Sequence, residues 1–111
     1  MKISVLLPFK ENFSNAYAGA VSIFINGVNS KSKFKDKIIV YGNTKYKNYL
    51  SKNYLNIPLN ETSIIRSTNS LYVKNFIKKN DVINSDIIEI HNRPNYIKQI
   101  LTLKKPKKIL Y

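Results

Sequence analysis

The sequence of 111 residues contains no cysteine and a single histidine, His91. The absence of cysteine excludes a disulfide scaffold, a cysteine-ligated zinc site and a thiol nucleophile. One histidine without a second histidine or a cysteine beside it does not make a metal site. We therefore expect no metal and no resident cofactor.

Long hydrophobic runs are also missing. No apolar stretch approaches the roughly 20 residues that a membrane-spanning helix needs. The apolar segment 2–7 is too short for the core of a signal peptide, and Lys10-Glu11-Asn12 follows it where a small-residue cleavage site would be required. We interpret this segment as a first strand and expect a cytoplasmic protein.

Glycine is scarce, and only Gly19 lies near the loop after the first predicted strand. A dinucleotide-binding site needs G-x-G-x-x-G at that loop and an acid after the second strand, where this chain has Gly42-Asn43. The G-x-x-x-x-G-K-[ST] motif of P-loop proteins does not occur either. These absences disfavour NAD binding and exclude a P-loop nucleoside triphosphatase.

Acidic residues are few, with six against 19 basic ones and a formal net charge of +13. An anionic partner would suit this charge, but codon usage is an alternative, because Lys, Asn, Ile and Tyr are encoded by AT-rich codons. Only two basic residues are arginine, the side chain that nucleic-acid binders favour, so we expect no nucleic-acid partner. The lysine-rich segment 104–108 either lies in a solvated loop or touches an anionic membrane.

Apolar runs and helical periodicity alternate along the chain. Strands are predicted at 2–7, 37–41, 86–90 and 107–111, with another at 54–59 or 62–66. Helices are predicted from Ser14 or Asn15 to Val28, at 46–50, at 71–77 with Asn69 or Ser70 as cap, and at about 95–103. This alternation predicts an α/β fold with an open, doubly wound parallel sheet of about five strands.

The first predicted helix carries many apolar side chains. They predict a largely buried helix, and they are Tyr17, Ala20, Val21, Ile23, Phe24, Ile25 and Val28. The chain also ends inside its last predicted strand. We therefore expect residues 1–111 to be the N-terminal piece of a longer protein.

Ligands of such sheets bind outside the carboxyl ends of the strands, at the switch point of the strand order. The segment His91-Asn92-Arg93 follows the strand at 86–90, which we expect to lie beside the first strand. His91 is then a candidate for hydrogen-bonding or acid–base contact with a substrate, or it fixes the loop. Arg93 is a candidate partner for a phosphate or carboxylate, or it pairs with Glu89 or Glu11. Asn92 either contacts substrate or forms the turn.

The loop after the first strand leads to Ala18-Gly19 at the predicted start of the first helix. Small residues and free amides at a helix start favour binding of a phosphate. The alternative is that these small residues only let the helix pack closely on the sheet. Glu11 in the same loop either contacts sugar hydroxyls or is a solvated acid.

The segments "KISVLLPF", "NAYAGAVSIFINGV", "KIIVYGN" and "DIIEIHNRPNYI" together resemble the N-terminal domain of GT-B glycosyltransferases. The group is the retaining, family-four-like enzymes that build lipopolysaccharide and other bacterial surface polysaccharides. The resemblance implies two Rossmann-like domains, of which residues 1–111 would be the acceptor-side one, without the nucleotide-sugar-binding C-terminal domain. Gly19 would lie near the donor diphosphate and His91, the catalytic-site residue, near the transferred sugar. Many members have two glycines where this chain has Ala18-Gly19.

The resemblance further implies a nucleotide-sugar donor, a saccharide or lipid-linked acceptor, and a place on the inner face of the membrane. This piece alone is expected to bind weakly and to transfer no sugar. Two other classes remain open from the residues themselves. One is a basic α/β module that binds RNA or an anionic membrane surface, and the other is an unrelated α/β enzyme with a histidine-based site.

Overall fold

The computed structural model describes residues 1–59, 68–103 and 108–110. Within them lies one five-stranded sheet in which every neighbouring pair of strands is parallel. Its strands are β1 (Ile3–Leu6), β2 (Ile38–Gly42), β3 (Tyr54–Asn56), β4 (Ile87–Ile90) and β5 (Lys108–Leu110). The helices are α1 (Ala20–Lys31), α2 (Thr68–Ile77), α3 (Asn80–Ile83) and α4 (Ile97–Ile100), with 3₁₀ turns at Lys35–Lys37 and Pro94–Tyr96.

The strands run in the order β3-β2-β1-β4-β5, which confirms the predicted α/β class and gives a Rossmann-like open sheet. The strand order reverses direction between β1 and β4. Leu6 at the end of β1 stands opposite Ile90 at the end of β4. The two loops that follow these strands therefore leave the sheet at the same level, as expected from the sequence.

The central strand β1 is apolar on both sides because both faces of the sheet are covered. On one face Leu6 joins a core with Ile88 of β4 and Tyr72 of α2. On the other face Val5 joins a second core with Val40 of β2 and Ile25 of α1. Helices on both faces make the sheet doubly wound, which also confirms the prediction.

The orientation of α1 differs from the expectation of a largely buried helix. Its buried residues are Ser22 and Ile25, while Ile23, Phe24 and Val28 are 60%, 62% and 51% exposed. Periodicity alone could not decide which of the two faces meets the sheet. The hydroxyl of Ser22 donates to the carboxylate of Glu11 on the inner side of the helix, so the buried side is partly polar while the more apolar side faces outwards.

Several predicted element ends were wrong. Helix α1 begins at Ala20 with Gly19 as its N-cap, several residues after the predicted cap. No helix forms at 46–50, where Tyr49 instead pairs with Ser14 in an antiparallel bridge and packs on Tyr54 with ring centroids 4.5 Å apart. Aromatic packing overrides the local helical pattern there.

Towards the C-terminus some predictions were wrong and one was confirmed. Asn69 lies inside α2 and does not cap it, and α3 was not expected. Tyr54–Asn56 is the third strand, whereas the alternative at 62–66 and lysines 104, 105 and 107 lie outside the described residues. No helix in the described part of the chain is long and apolar enough to cross a membrane.

Candidate functional site

The carboxyl edge of the sheet brings together the loops after β1 and β4. The backbone N–H of Phe9, in the first loop, donates to the hydroxyl of Tyr96, which follows the second, at 3.2 Å. That hydroxyl in turn donates to Oδ1 of Asn69 in α2 at 2.8 Å. A buried phenol thus ties both loops to α2, so their relative position is fixed by hydrogen bonds as well as by strand pairing.

His91 stands at the end of β4 with its side chain 22% exposed. Its Nε2 lies 2.8 Å from Oε2 of Glu89, two residues earlier on the same side of the strand. A carboxylate only accepts hydrogen bonds, so Nε2 carries the hydrogen, and Nδ1 of a neutral ring is left as an acceptor. Glu89 therefore fixes both the orientation and the tautomer of the imidazole.

Asn92 and Arg93 turn the chain away from β4. Asn92 adopts a left-handed backbone with a φ of 57°, a conformation that asparagine tolerates better than most residues. The guanidinium of Arg93 donates to the carbonyl of Asn92 at 2.7 Å and is otherwise exposed. Neither of the two ion pairs considered as alternatives for Arg93 forms: Glu89 faces His91, and Glu11 faces Ser22. The cation is therefore accessible to an anionic ligand.

The helix start that was expected to bind a phosphate holds a carboxylate of the chain itself. Oε2 of Glu11 accepts from the backbone N–H of Ser22 at 3.1 Å and from its hydroxyl at 2.7 Å. A side chain at Gly19 would overlap this carboxylate, so any larger residue there would have to displace Glu11 from the helix start. Ala18 is half-buried beside it. Phosphate binding at Ala18 and Gly19 stays a prediction.

Sequence reasoning missed a groove at the same edge, which we call the carboxyl-edge groove. Its volume is about 450 Å³. It is lined by the ends of three strands and their loops, namely Lys10, Asn12, Asn43, Thr44, Lys45, Asn56, Pro58 and Leu59. A second cavity lined by Phe9 and Thr68 shares Lys10, Asn43 and Leu59 with it. No local signal marked these residues, because asparagine and lysine are common throughout the chain and a helix was predicted at 46–50.

Hydrogen bonds hold the walls of this groove in place. Oδ1 of Asn56 accepts from the backbone N–H of Thr44 at 2.6 Å and from the Tyr54 hydroxyl at 3.0 Å. Oδ1 of Asn12 accepts from the backbone N–H of Lys45 at 3.2 Å. Nδ2 of Asn43 donates to the carbonyl of Ile57 at 2.8 Å. The three amides are thus preorganised, each with one end committed to the protein.

Metal ligation finds no support among the residues that the structure describes, where no three His, Cys, Asp or Glu side chains cluster. Comparisons with protein families, curated proteins and solved structures return no match to this chain. The likeness to GT-B glycosyltransferases therefore rests on the sequence motifs.

Proposed function

We propose that this chain is the acceptor-side domain of a glycosyltransferase that moves a sugar from a nucleotide sugar to a saccharide or lipid-linked acceptor. The observation that carries the proposal is the position of His91. A single imidazole, oriented by Glu89, stands at the switch point of a Rossmann-like sheet, beside the loop after β1. Ligands of open α/β sheets bind at this point.

In glycosyl transfer the bond between the sugar C1 and the diphosphate oxygen breaks, the acceptor hydroxyl oxygen bonds to C1, and the hydroxyl proton passes to the departing nucleoside diphosphate. The acceptor nitrogen Nδ1 of His91 suits a hydrogen bond from a hydroxyl of the transferred sugar. The exposed guanidinium of Arg93 suits the charge that develops on the departing diphosphate. The donor-binding domain would supply the remaining groups, so this chain alone would bind weakly and turn over nothing.

Saturation-transfer NMR with UDP-glucose and GDP-mannose tests the proposal. We expect dissociation constants of about 1 mM or weaker, which His91→Ala and Arg93→Ala weaken at least threefold. Lys98→Ala is the control, since it removes an exposed cation from α4. An assay for nucleotide release runs in parallel. Robust turnover by this chain, or binding that neither variant weakens, would refute the proposal.

A second candidate function, docking on an anionic membrane surface, is favoured by the outer face of α1. This face, the α1 stripe, consists of the exposed residues Ala20, Ile23, Phe24, Gly27 and Val28. Exposed Lys31, Lys33, Lys35 and Lys37 follow it directly. A helix with an apolar face beside basic residues is suited to the interface of an anionic bilayer, where each lysine contributes about 1 kcal/mol. RNA would bind the lysines but would leave the stripe exposed.

Co-sedimentation with vesicles tests this candidate. We expect binding to phosphatidylglycerol vesicles that falls with salt, weak binding to phosphatidylcholine vesicles, and loss of binding in Phe24→Ser. Leu101→Ser is the matched control, because Leu101 is 68% exposed outside the stripe. Equal loss in both variants, or binding to neither lipid, would contradict membrane docking.

A further inference from the structure

We infer that the carboxyl-edge groove binds an acidic saccharide, a sugar that carries a carboxylate or a phosphate. This inference rests on the proposed function and narrows it to the substrate class that the acceptor side would hold. The groove lies at the ends of β1, β2 and β3, on the opposite side of β1 from His91. Its volume of about 450 Å³ suits one or two sugar rings.

The internal hydrogen bonds of the groove determine which polar atoms remain for a ligand. The amide oxygens of Asn12 and Asn56 are used by the protein, and their NH₂ groups have no partner among the described residues. The NH₂ group of Asn43 donates to the protein instead, so its amide oxygen remains as an acceptor for a ligand. The walls thus offer two amide donors and one amide acceptor.

Charge adds to this excess of donors. Lys10 and Lys45 line the groove, and no acidic side chain lies among its described lining residues. An anionic group can accept from both ammonium groups and from the amides, while a sugar hydroxyl can donate to Asn43. A ligand that combines hydroxyls with a negative charge therefore satisfies the groove better than a neutral sugar or a bare anion.

The backbone at Lys10 supports the same assignment. Lys10 has a φ of 68°, a left-handed conformation that costs a lysine more than a glycine. Its ammonium lies 5.6 Å from the centre of the Phe9 ring, at the junction of the groove with the neighbouring cavity. Strained residues persist where the surroundings hold them, often at ligand sites.

The test is an NMR titration that follows the side-chain amide signals of Asn12, Asn43 and Asn56. The probes are glucuronate, glucose 6-phosphate, glucose and inorganic phosphate. We expect both acidic sugars to bind about tenfold more tightly than glucose and than inorganic phosphate. The double variant K10Q/K45Q should reduce their affinity to that of glucose. The control K78Q/K98Q removes two exposed charges outside the groove and should change affinity less than twofold.

The other outcomes separate the inference from the proposed function. If glucose binds as tightly as the acidic sugars, the inference is overturned and the acceptor-side proposal stands. If inorganic phosphate binds as tightly as glucose 6-phosphate, the groove recognises the anion without the sugar, which also overturns the inference. If no sugar moves these signals, both the inference and the acceptor-binding part of the proposal are overturned. Equal losses of affinity for the acidic sugars in the two double variants would show a general effect of charge and would contradict a specific site.

Discussion

The carboxylate of Glu11 reaches the amino terminus of α1 and accepts hydrogen bonds from both the backbone N–H and the hydroxyl of Ser22. The carboxylate satisfies an amide that the helix leaves unpaired, and its charge complements the helix dipole. Gly19 leaves the space in which this carboxylate lies. The entry to α1 is thus built around an acidic side chain of the preceding loop.

Substitution by alanine at Gly19 and at Gly27 should change the free energy of unfolding in opposite directions. Gly19→Ala would displace Glu11 and should lower the free energy of unfolding by about 1–2 kcal/mol. Gly27→Ala should raise it by about 0.5–1 kcal/mol, because Gly27 lies inside α1 with open space around it. Urea denaturation measures both changes. Two changes of the same sign would contradict this account of the helix entry.

Removing the hydroxyl group from each of two buried tyrosines should change the free energy of unfolding by different amounts. The Tyr72 hydroxyl donates to the carbonyl of Leu7 at 2.7 Å, so Tyr72→Phe should lower the free energy of unfolding by about 1–2 kcal/mol. The buried Tyr41 hydroxyl makes no well-formed hydrogen bond among the described residues and has only a weak contact with Ser4, so Tyr41→Phe should be neutral or stabilising. Urea denaturation of both variants provides the measurement, and a larger loss at Tyr41 would contradict the assignment.

The raised pKa values of the same two tyrosines predict that the protein loses stability at high pH. Burial raises the pKa of Tyr41 to about 12 and that of Tyr72 well above its usual value of 10. The unfolded chain releases these protons from about pH 10, while the folded chain keeps them. The free energy of unfolding therefore keeps its full value below about pH 10. Above pH 10 it falls by up to about 1.4 kcal/mol per pH unit for each tyrosine.

Urea midpoints measured between about pH 9 and pH 11, together with tyrosinate absorbance, check this prediction. The slope with pH should become shallower in Tyr72→Phe than in the original chain. A slope unchanged by that substitution would exclude Tyr72 as a source of the effect.

Glu89 should control the tautomer of His91. In the neutral ring, nitrogen NMR should find the hydrogen on Nε2, which faces the carboxylate of Glu89 at 2.8 Å. Glu89→Gln should populate the other tautomer, because the amide can donate as well as accept. Asp86 precedes the same strand, but its carboxylate accepts from the backbone N–H of Lys2 at 2.9 Å, so Asp86→Asn serves as control. A tautomer unchanged by Glu89→Gln would contradict a positioning role.

The sheet could be predicted from the sequence because its strands are short apolar runs between polar loops. Strands β1 and β2 are mostly buried on both faces, while β4 is buried on one face and half-buried on the other, and apolar residues dominate all three. The outward face of α1 could not be predicted, since the side that meets the sheet includes a contact between Ser22 and Glu11, eleven residues apart. Local periodicity contains no information on such a contact.

The site was predictable only in part. The position of His91 followed from the strand order, but its pairing with Glu89 was not predicted, because Glu89 was considered only as a partner of Arg93. The groove was missed because its side chains come from three separate loops. Asparagine and lysine are so common in this chain that Asn12, Asn43 and Asn56 gave no signal until the fold placed them together.

Ligands should bind at the carboxyl edge of the sheet, and backbone amide NMR during titration with UDP-glucose measures where they bind. We expect shifts at 91–93 and in the loop after β1, with none at the opposite edge, where Lys2, Asp36 and Asp81 line a cavity. Shifts confined to that opposite edge, or an unchanged spectrum at saturating nucleotide sugar, would contradict binding at the carboxyl edge.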